Sequence, residues 1–296
     1  MVNPLLGTFY GILAAVLPVI SLMAWTFIFA FFFPYTRREF RKVVLFKGTD
    51  RTLRYIMIGM TPIFFMAASM VSAGLSIMME AFFMVFIFLF DSSMSASSQI
   101  LSLMSAGPIE ETMKLLTAGL IYMTIYLIWR KAPKSRQLEV KRDPVKDGMI
   151  IGCFAGAAFG FLESILYLFS NFTVLAVQGP SFGSIDPILW RFVLGVMVHA
   201  LYTGIASAGL GRRTITGKVI YSFVFLTASV VLHALNNGIQ GYIILVLEMD
   251  NPTGWLISDA LQTLLILIGI TIFILAWKTS DRSSPRPQND FIPGNS

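Results

Sequence analysis

Six stretches of this chain, residues 5–33, 55–90, 148–172, 190–210, 219–247 and 255–277, each run apolar for around 20 residues or more. About 20 residues, rising ~1.5 Å each, carry a helix across the hydrocarbon core of a bilayer. No soluble core hides this much apolar sequence: 56% of residues are hydrophobic and 13% charged, where a soluble domain carries about 25% charged residues. The first stretch lacks a basic flank and is too long for the apolar core of a typical cleavable signal peptide.

The net charge of +6 does not point to nucleic acid, because the basic residues fall in short loops between spans. Twenty of the 22 Lys and Arg lie in four groups, at residues 34–54, 130–147, 212–218 and 278–286; the other two are Lys114 and Arg191. The intervening loops, 91–97, 173–188 and 248–254, contain no Lys or Arg and hold Asp91, Asp186, Glu248 and Asp250. Alternation of basic and non-basic loops is the positive-inside pattern. It predicts seven spans in a multi-pass protein of the cell membrane, with the N-terminus outside and the basic loops and C-terminal tail in the cytoplasm. The single cysteine, Cys153, excludes an intramolecular disulfide and a thiol metal cluster.

Residues 55–90 are long for one simple span, and residues 81–107 are interrupted by a polar run from Asp91 to Gln99. A full extra span there would invert the sign of every later loop. A re-entrant or tilted segment on the outer side keeps the parity. Met57, Met60, Phe64, Phe65 and Met66 read as lipid-facing or packing surface. The tail beyond residue 278 is rich in Ser, Pro and Arg, a composition that favours disorder.

Charge at the bilayer centre costs at least about 2.5 kcal/mol per group, so ionisable residues there are functional candidates. Six qualify: Glu110, Glu111, Lys114, Glu163, His199 and His233, including both histidines of the chain. The run Gly107-Pro108-Ile109-Glu110-Glu111-Thr112-Met113-Lys114 resembles a helix start, with Pro in the first turn. Glu110 and Lys114 are spaced to pair along a helix, leaving Glu111 as the spare carboxylate for acid–base work. A purely structural ion pair explains the segment equally well. Small residues Gly152, Ala155, Gly156, Ala157, Ala158 and Gly160 precede Glu163 and allow close helix approach. His233 and Asn237 are four apart and share a helix face. Imidazole and carboxylate are the ligands of catalytic zinc, and equally an acid–base set that needs no metal.

Depth supports one shared site. At ~1.5 Å per residue from each cytoplasmic flank, the Glu pair lies roughly 30 Å above Arg130, and Glu163 about 24 Å above Asp147. His233 lies about 22 Å above Lys218 and His199 about 20 Å above Arg212. All fall between mid-membrane and the outer leaflet.

Four motifs in order, on alternating spans, resemble the PrsW family of intramembrane proteases, relatives of the CAAX-prenyl-protease-like superfamily. They are Glu110-Glu111-Thr112-Met113-Lys114, then Phe159-Gly160-Phe161-Leu162-Glu163, then His199, then His233. The resemblance covers roughly residues 98–247. On this reading residues 1–97 are transmembrane segments outside the family core, 248–277 the final span, and 278–296 a disordered cytoplasmic tail. In the last motif, His233-Ala234-Leu235-Asn236-Asn237, Asn stands where the family often has Asp. The resemblance implies cleavage of a membrane-anchored protein, of the kind of an anti-sigma factor, on its extracytoplasmic side. It leaves open a metal, with zinc as the candidate, or a glutamate mechanism.

The sequence therefore predicts an all-α integral membrane protein, a bundle of about seven transmembrane helices, acting as a peptidase. Its expected catalytic residues are Glu110, Glu111, Lys114, Glu163, His199, His233 and Asn237, with Glu163, His199 and His233 as ligands if a metal is used. Glu110 and Glu111 would activate a water, Lys114 would orient one of them, and Glu163 would complete the shell. A CAAX-type endoprotease would open its site toward the cytoplasm, against the depth estimate. A proton-coupled transporter would use the same residues as a relay, although no internal repeat supports it. A non-catalytic scaffold would keep the polar core for stability. The expected partners are a membrane-anchored substrate and the lipid bilayer, with no nucleic acid.

Overall fold

A computed structural model describes residues 51–130, 143–178, 190–249 and 251–280. These residues form six long α-helices and no strand: α1 (Arg51–Phe90), α2 (Ala96–Arg130), α3 (Pro144–Gln178), α4 (Val196–Thr216), α5 (Ile220–Leu245) and α6 (Pro252–Ser280). One π-helical turn, Arg191–Gly195, leads into α4. Within them, Phe65–Phe90, Pro144–Phe169, Ile220–Leu245 and Pro252–Ser280 are long and apolar enough to cross a membrane. The chain is thus a multi-pass membrane protein, built of helices throughout the described residues. The apolar stretch 5–33, the basic segment 131–142 and the tail beyond 280 lie outside the described residues.

Residues 81–107, for which the sequence suggested a re-entrant or tilted segment, are helical on both sides of residues 91–95. They are the facing arms of a helical hairpin, α1 and α2, joined by a tight turn at residues 91–95. Asp91 builds the turn. Its carboxylate accepts hydrogen bonds from Ser93 N (3.2 Å), Ser93 Oγ (2.5 Å), Ser95 N (2.8 Å) and Ser98 Oγ (2.6 Å). These donors hold the Asp91 carboxyl well below the usual carboxylate range. Pro108 does not start a helix either; it lies inside α2. Proline removes one backbone bond there, and transmembrane helices tolerate that where neighbours pack closely. Here the neighbour is α5, since a Cβ on Gly107 would lie 2.7 Å from Ala234 N.

The tightest helix pair is α3 against α4. Gly148, Gly152, Gly156 and Gly160, four apart, put a side-chain-free stripe on α3. A Cβ on Gly148 would lie 2.6 Å from Ser207 O, one on Gly160 would lie 2.6 Å from His199 Cδ2, and one on Gly156 would collide with the His199 carbonyl. The stripe lets the α4 backbone, and His199 with it, sit directly on α3. Asp143 caps α3, accepting from Val145 N (3.0 Å) and Lys146 N (3.2 Å), and also accepts from Ser280 Oγ (2.8 Å) at the end of α6. Of the Met and Phe stripe, Phe65 packs inward, its ring 5.6 Å from Phe154. Farther along α1, Met70, Met78, Phe82, Leu89 and Phe90 face outward, as a lipid-contacting surface requires.

Candidate active site

Polar residues from four helices meet at one buried point: Glu110, Glu111 and Lys114 from α2, Glu163 from α3, His199 from α4 and His233 from α5. Glu111 and Lys114 are fully buried, and both histidines are 2% exposed. Lys114 Nζ is the hub, at 2.7 Å from Glu111 Oε1, 3.0 Å from Glu110 Oε2 and 2.7 Å from His199 Nδ1. The same ammonium stands 4.4 Å from the centre of the Phe159 ring, which in turn lies 5.6 Å from the His199 ring. Phe159, the first residue of the motif that ends in Glu163, thus packs beside the site.

Each histidine gives one ring nitrogen to a carboxylate. His199 Nε2 is 2.5 Å from Glu163 Oε2, and His233 Nδ1 is 2.9 Å from Glu111 Oε1. Both carboxylates are held in turn. Glu163 Oε1 accepts from Arg191 Nη1 at 2.6 Å. Glu111 Oε2 accepts from Ser229 Oγ at 2.8 Å and Thr203 Oγ1 at 3.2 Å. With Lys114 and His233 on its other oxygen, Glu111 has four donors, about the capacity of a carboxylate.

The second nitrogen of each ring faces the centre. His199 Nδ1 and His233 Nε2 are each 3.7 Å from Glu110 Oε2, and the rings meet edge to face with centroids 5.1 Å apart. Donor atoms of Glu110, His199 and His233 lie within 4.8 Å of one another. Zinc bonds of about 2.1 Å place tetrahedral ligands roughly 3.4 Å apart. Metal-binding histidines are also typically held at their remote nitrogen by a carboxylate or carbonyl. This donor set could hold a metal ion, once Lys114 Nζ gives up the two atoms it contacts, Glu110 Oε2 and His199 Nδ1. Two of its members, His199 and His233, are those the sequence pointed to. The third is Glu110, where the sequence pointed to Glu163, because Glu163 sits on the outer nitrogen of His199.

The chain matches the PrsW family intramembrane metalloproteases over residues 58–275. It belongs to this family. No curated protein and no solved structure matches the chain. Membership in PrsW makes the protein a peptidase of the membrane and decides against the transporter and scaffold readings.

In this PrsW protein the sequence-predicted residues Glu110, Glu111, Lys114, Glu163, His199 and His233 converge. Asn237 is half-buried and makes no side-chain hydrogen bond among the described residues. Its neighbour Asn236 is buried, with Oδ1 unpartnered. Four residues of the site escaped the sequence reading. Thr203 and Ser229 lie one helical turn from His199 and His233, and that period was their signal. Arg191 stood out only as one of two basic residues outside the loop groups. Glu80 on α1 is half-buried and within electrostatic reach of Glu110, Glu163, Lys114 and Arg191; a lone acid in an apolar stretch was its signal.

Proposed function

We propose that this PrsW protein hydrolyses a peptide bond of a single-pass, membrane-anchored protein near the extracytoplasmic face, of the kind of an anti-sigma factor. One observation carries the reading. Both histidines are anchored on carboxylates at one nitrogen and present the other to Glu110 Oε2, each at 3.7 Å. Glu110, His199 and His233 would hold a zinc ion there. Bound zinc polarises a peptide carbonyl and lowers the pKa of water.

The protein's own groups divide the remaining work. No hydrogen bond reaches Glu110 Oε1 from the described residues, so this oxygen is free to take the proton of an attacking water. Glu111, with its four donors, orients His233 instead. The sequence argument gave Glu111 the base role because Glu110 had Lys114 as a partner; the structure shows Lys114 shared between both. Lys114 keeps a positive charge beside the centre, where negative charge develops on the carbonyl oxygen during attack. Depth from the basic loops puts the cluster toward the outer leaflet, the side from which water has the shorter path.

The test is reconstitution in liposomes with a single-pass reporter substrate. Cleavage outside mid-membrane, lost in Glu110→Gln and in His233→Ala, supports the reading. Retention of cleavage in Glu110→Gln at near wild-type rate rejects it.

A further inference from the structure

We infer that Arg191 is a positioning residue of the active site: through Glu163 it fixes the tautomer and orientation of His199. The inference extends the metal reading above but is read out on the ring itself.

The geometry is a chain of three contacts. The Arg191 guanidinium lies 3.8 Å over the Tyr167 ring, which restricts it to one plane. From that plane Nη1 donates to Glu163 Oε1 at 2.6 Å. The other oxygen of Glu163 is 2.5 Å from His199 Nε2. A carboxylate beside Nε2 favours the hydrogen on that nitrogen, as a close electrostatic contact rather than an aligned hydrogen bond, since Glu163 Oε2 has no hydrogen-bond partner among the described residues. That leaves the Nδ1 lone pair facing inward, where Lys114 Nζ approaches at 2.7 Å and where a metal would be ligated. In the opposite tautomer Nδ1–H would face an ammonium, and a bare Nε2 would face a carboxylate. Both contacts would repel.

Arg191 therefore holds one oxygen of Glu163 so that the other stays against the ring. His233 has three groups doing the same task for its carboxylate partner: Lys114, Ser229 and Thr203. Among the described residues, Glu163 has the Arg191 guanidinium as its one hydrogen-bond donor. Arg191 and Glu163 also form the more open edge of the cluster, with side chains 20% and 16% exposed, against 0% for Lys114 and Glu111. Loss of the arginine would admit water to this edge and free the carboxylate to rotate. Lysine keeps the charge but lacks the planar fork that stacks and donates together.

The chain contains two histidines, so uniform ¹⁵N-histidine labelling of the full-length protein in nanodiscs yields two rings, assigned with His233→Ala. Wild type should show His199 as the Nε2–H tautomer. In Arg191→Gln that signal should broaden or shift toward mixed tautomers, with His233 unchanged. Zinc affinity, measured by competition with a chromophoric chelator, should fall by about 10–100-fold, the usual cost of losing an outer-shell partner. Arg191→Lys should recover part of both. Circular dichroism and thermal unfolding identify any variant that fails to fold, and Glu163→Gln then supplies the same two readouts one contact closer to the ring. A folded Arg191→Gln protein with an unchanged His199 tautomer overturns the inference. It would leave the peptidase reading standing, because the ring spectrum is recorded without substrate.

Discussion

Glu111 Oε1 and His233 Nδ1 are 2.9 Å apart, and this contact turns His233 Nε2 toward the carboxylate of Glu110. On the proposed reading the two adjacent glutamates have different tasks, one holding a ring and one facing the reaction centre. Glu110→Gln should lower peptide cleavage by about 10²–10⁴-fold, the usual contribution of a general base. Glu111→Gln should cost about 10–100-fold, as loss of an orienting partner does. Rates from the liposome assay, with zinc content measured in the same samples, separate the two roles. Equal losses in the two variants would contradict the division.

Zinc removal is the second prediction. Dialysis against a strong chelator should abolish cleavage, and stoichiometric zinc should restore it. Full activity in protein shown to be metal-free by elemental analysis would favour the glutamate mechanism.

Gly156 should tolerate no side chain. Its Cβ would meet the His199 carbonyl, which is backbone and cannot swing aside. Gly156→Ala should destabilise by about 1–3 kcal/mol through overpacking and lower activity with it. Gly74, on the outward side of α1, has open space around its Cβ position, so Gly74→Ala should leave the unfolding midpoint in detergent nearly unchanged.

Topology is tested by cysteine labelling at residues 134 and 181 in a Cys153→Ala background. Loop charges place Lys134 in the cytoplasm and Ser181 outside, so a membrane-impermeant maleimide added to intact cells should label only position 181. Labelling of both from one side would remove the seven-span arrangement and the depth argument together.

The Asp91 turn should persist in acid. Its folded pKa is lowered, so its stabilising effect is complete above the ordinary Asp value of about 3.9 and is lost only as pH falls through the lowered value. Protection factors against amide exchange at Ser93 and Ser95, corrected for the intrinsic pH dependence of exchange, should be unchanged between pH 7 and 5, and lower at both pH values in Asp91→Ala.

The apolar stretches were legible because a bilayer accepts little else, and the charged residues inside them were legible because each carries a cost that demands a reason. That rule found Glu110, Glu111, Lys114, Glu163 and both histidines. It did not assign their pairings, which depend on rotations set by packing. The glycines of α3 fix where His199 lies, and no pattern in the sequence says that Glu163 lands on its Nε2 rather than in the central donor set. Pro108 misled because proline at a helix start and proline within a packed helix look alike in one dimension. Arg191 and Glu80 were visible as isolated charges, but only the three-dimensional contacts tie them to the site.

The tight turn between α1 and α2 bears on how the protein reaches the membrane at all. Helix α2 carries Glu110, Glu111 and Lys114, and entering lipid alone it would meet a penalty of about 2.5–3.5 kcal/mol for each charged group placed mid-bilayer. A connection of five residues leaves α1 and α2 no room to partition separately. Joint entry as one hairpin lets the strongly apolar arm carry the charged one. Until His199 and His233 arrive from later in translation, the acids have only Lys114 for company. The polar cluster thus gains its N-terminal members first, and a chain stalled before α4 would leave that seam without His199 and His233.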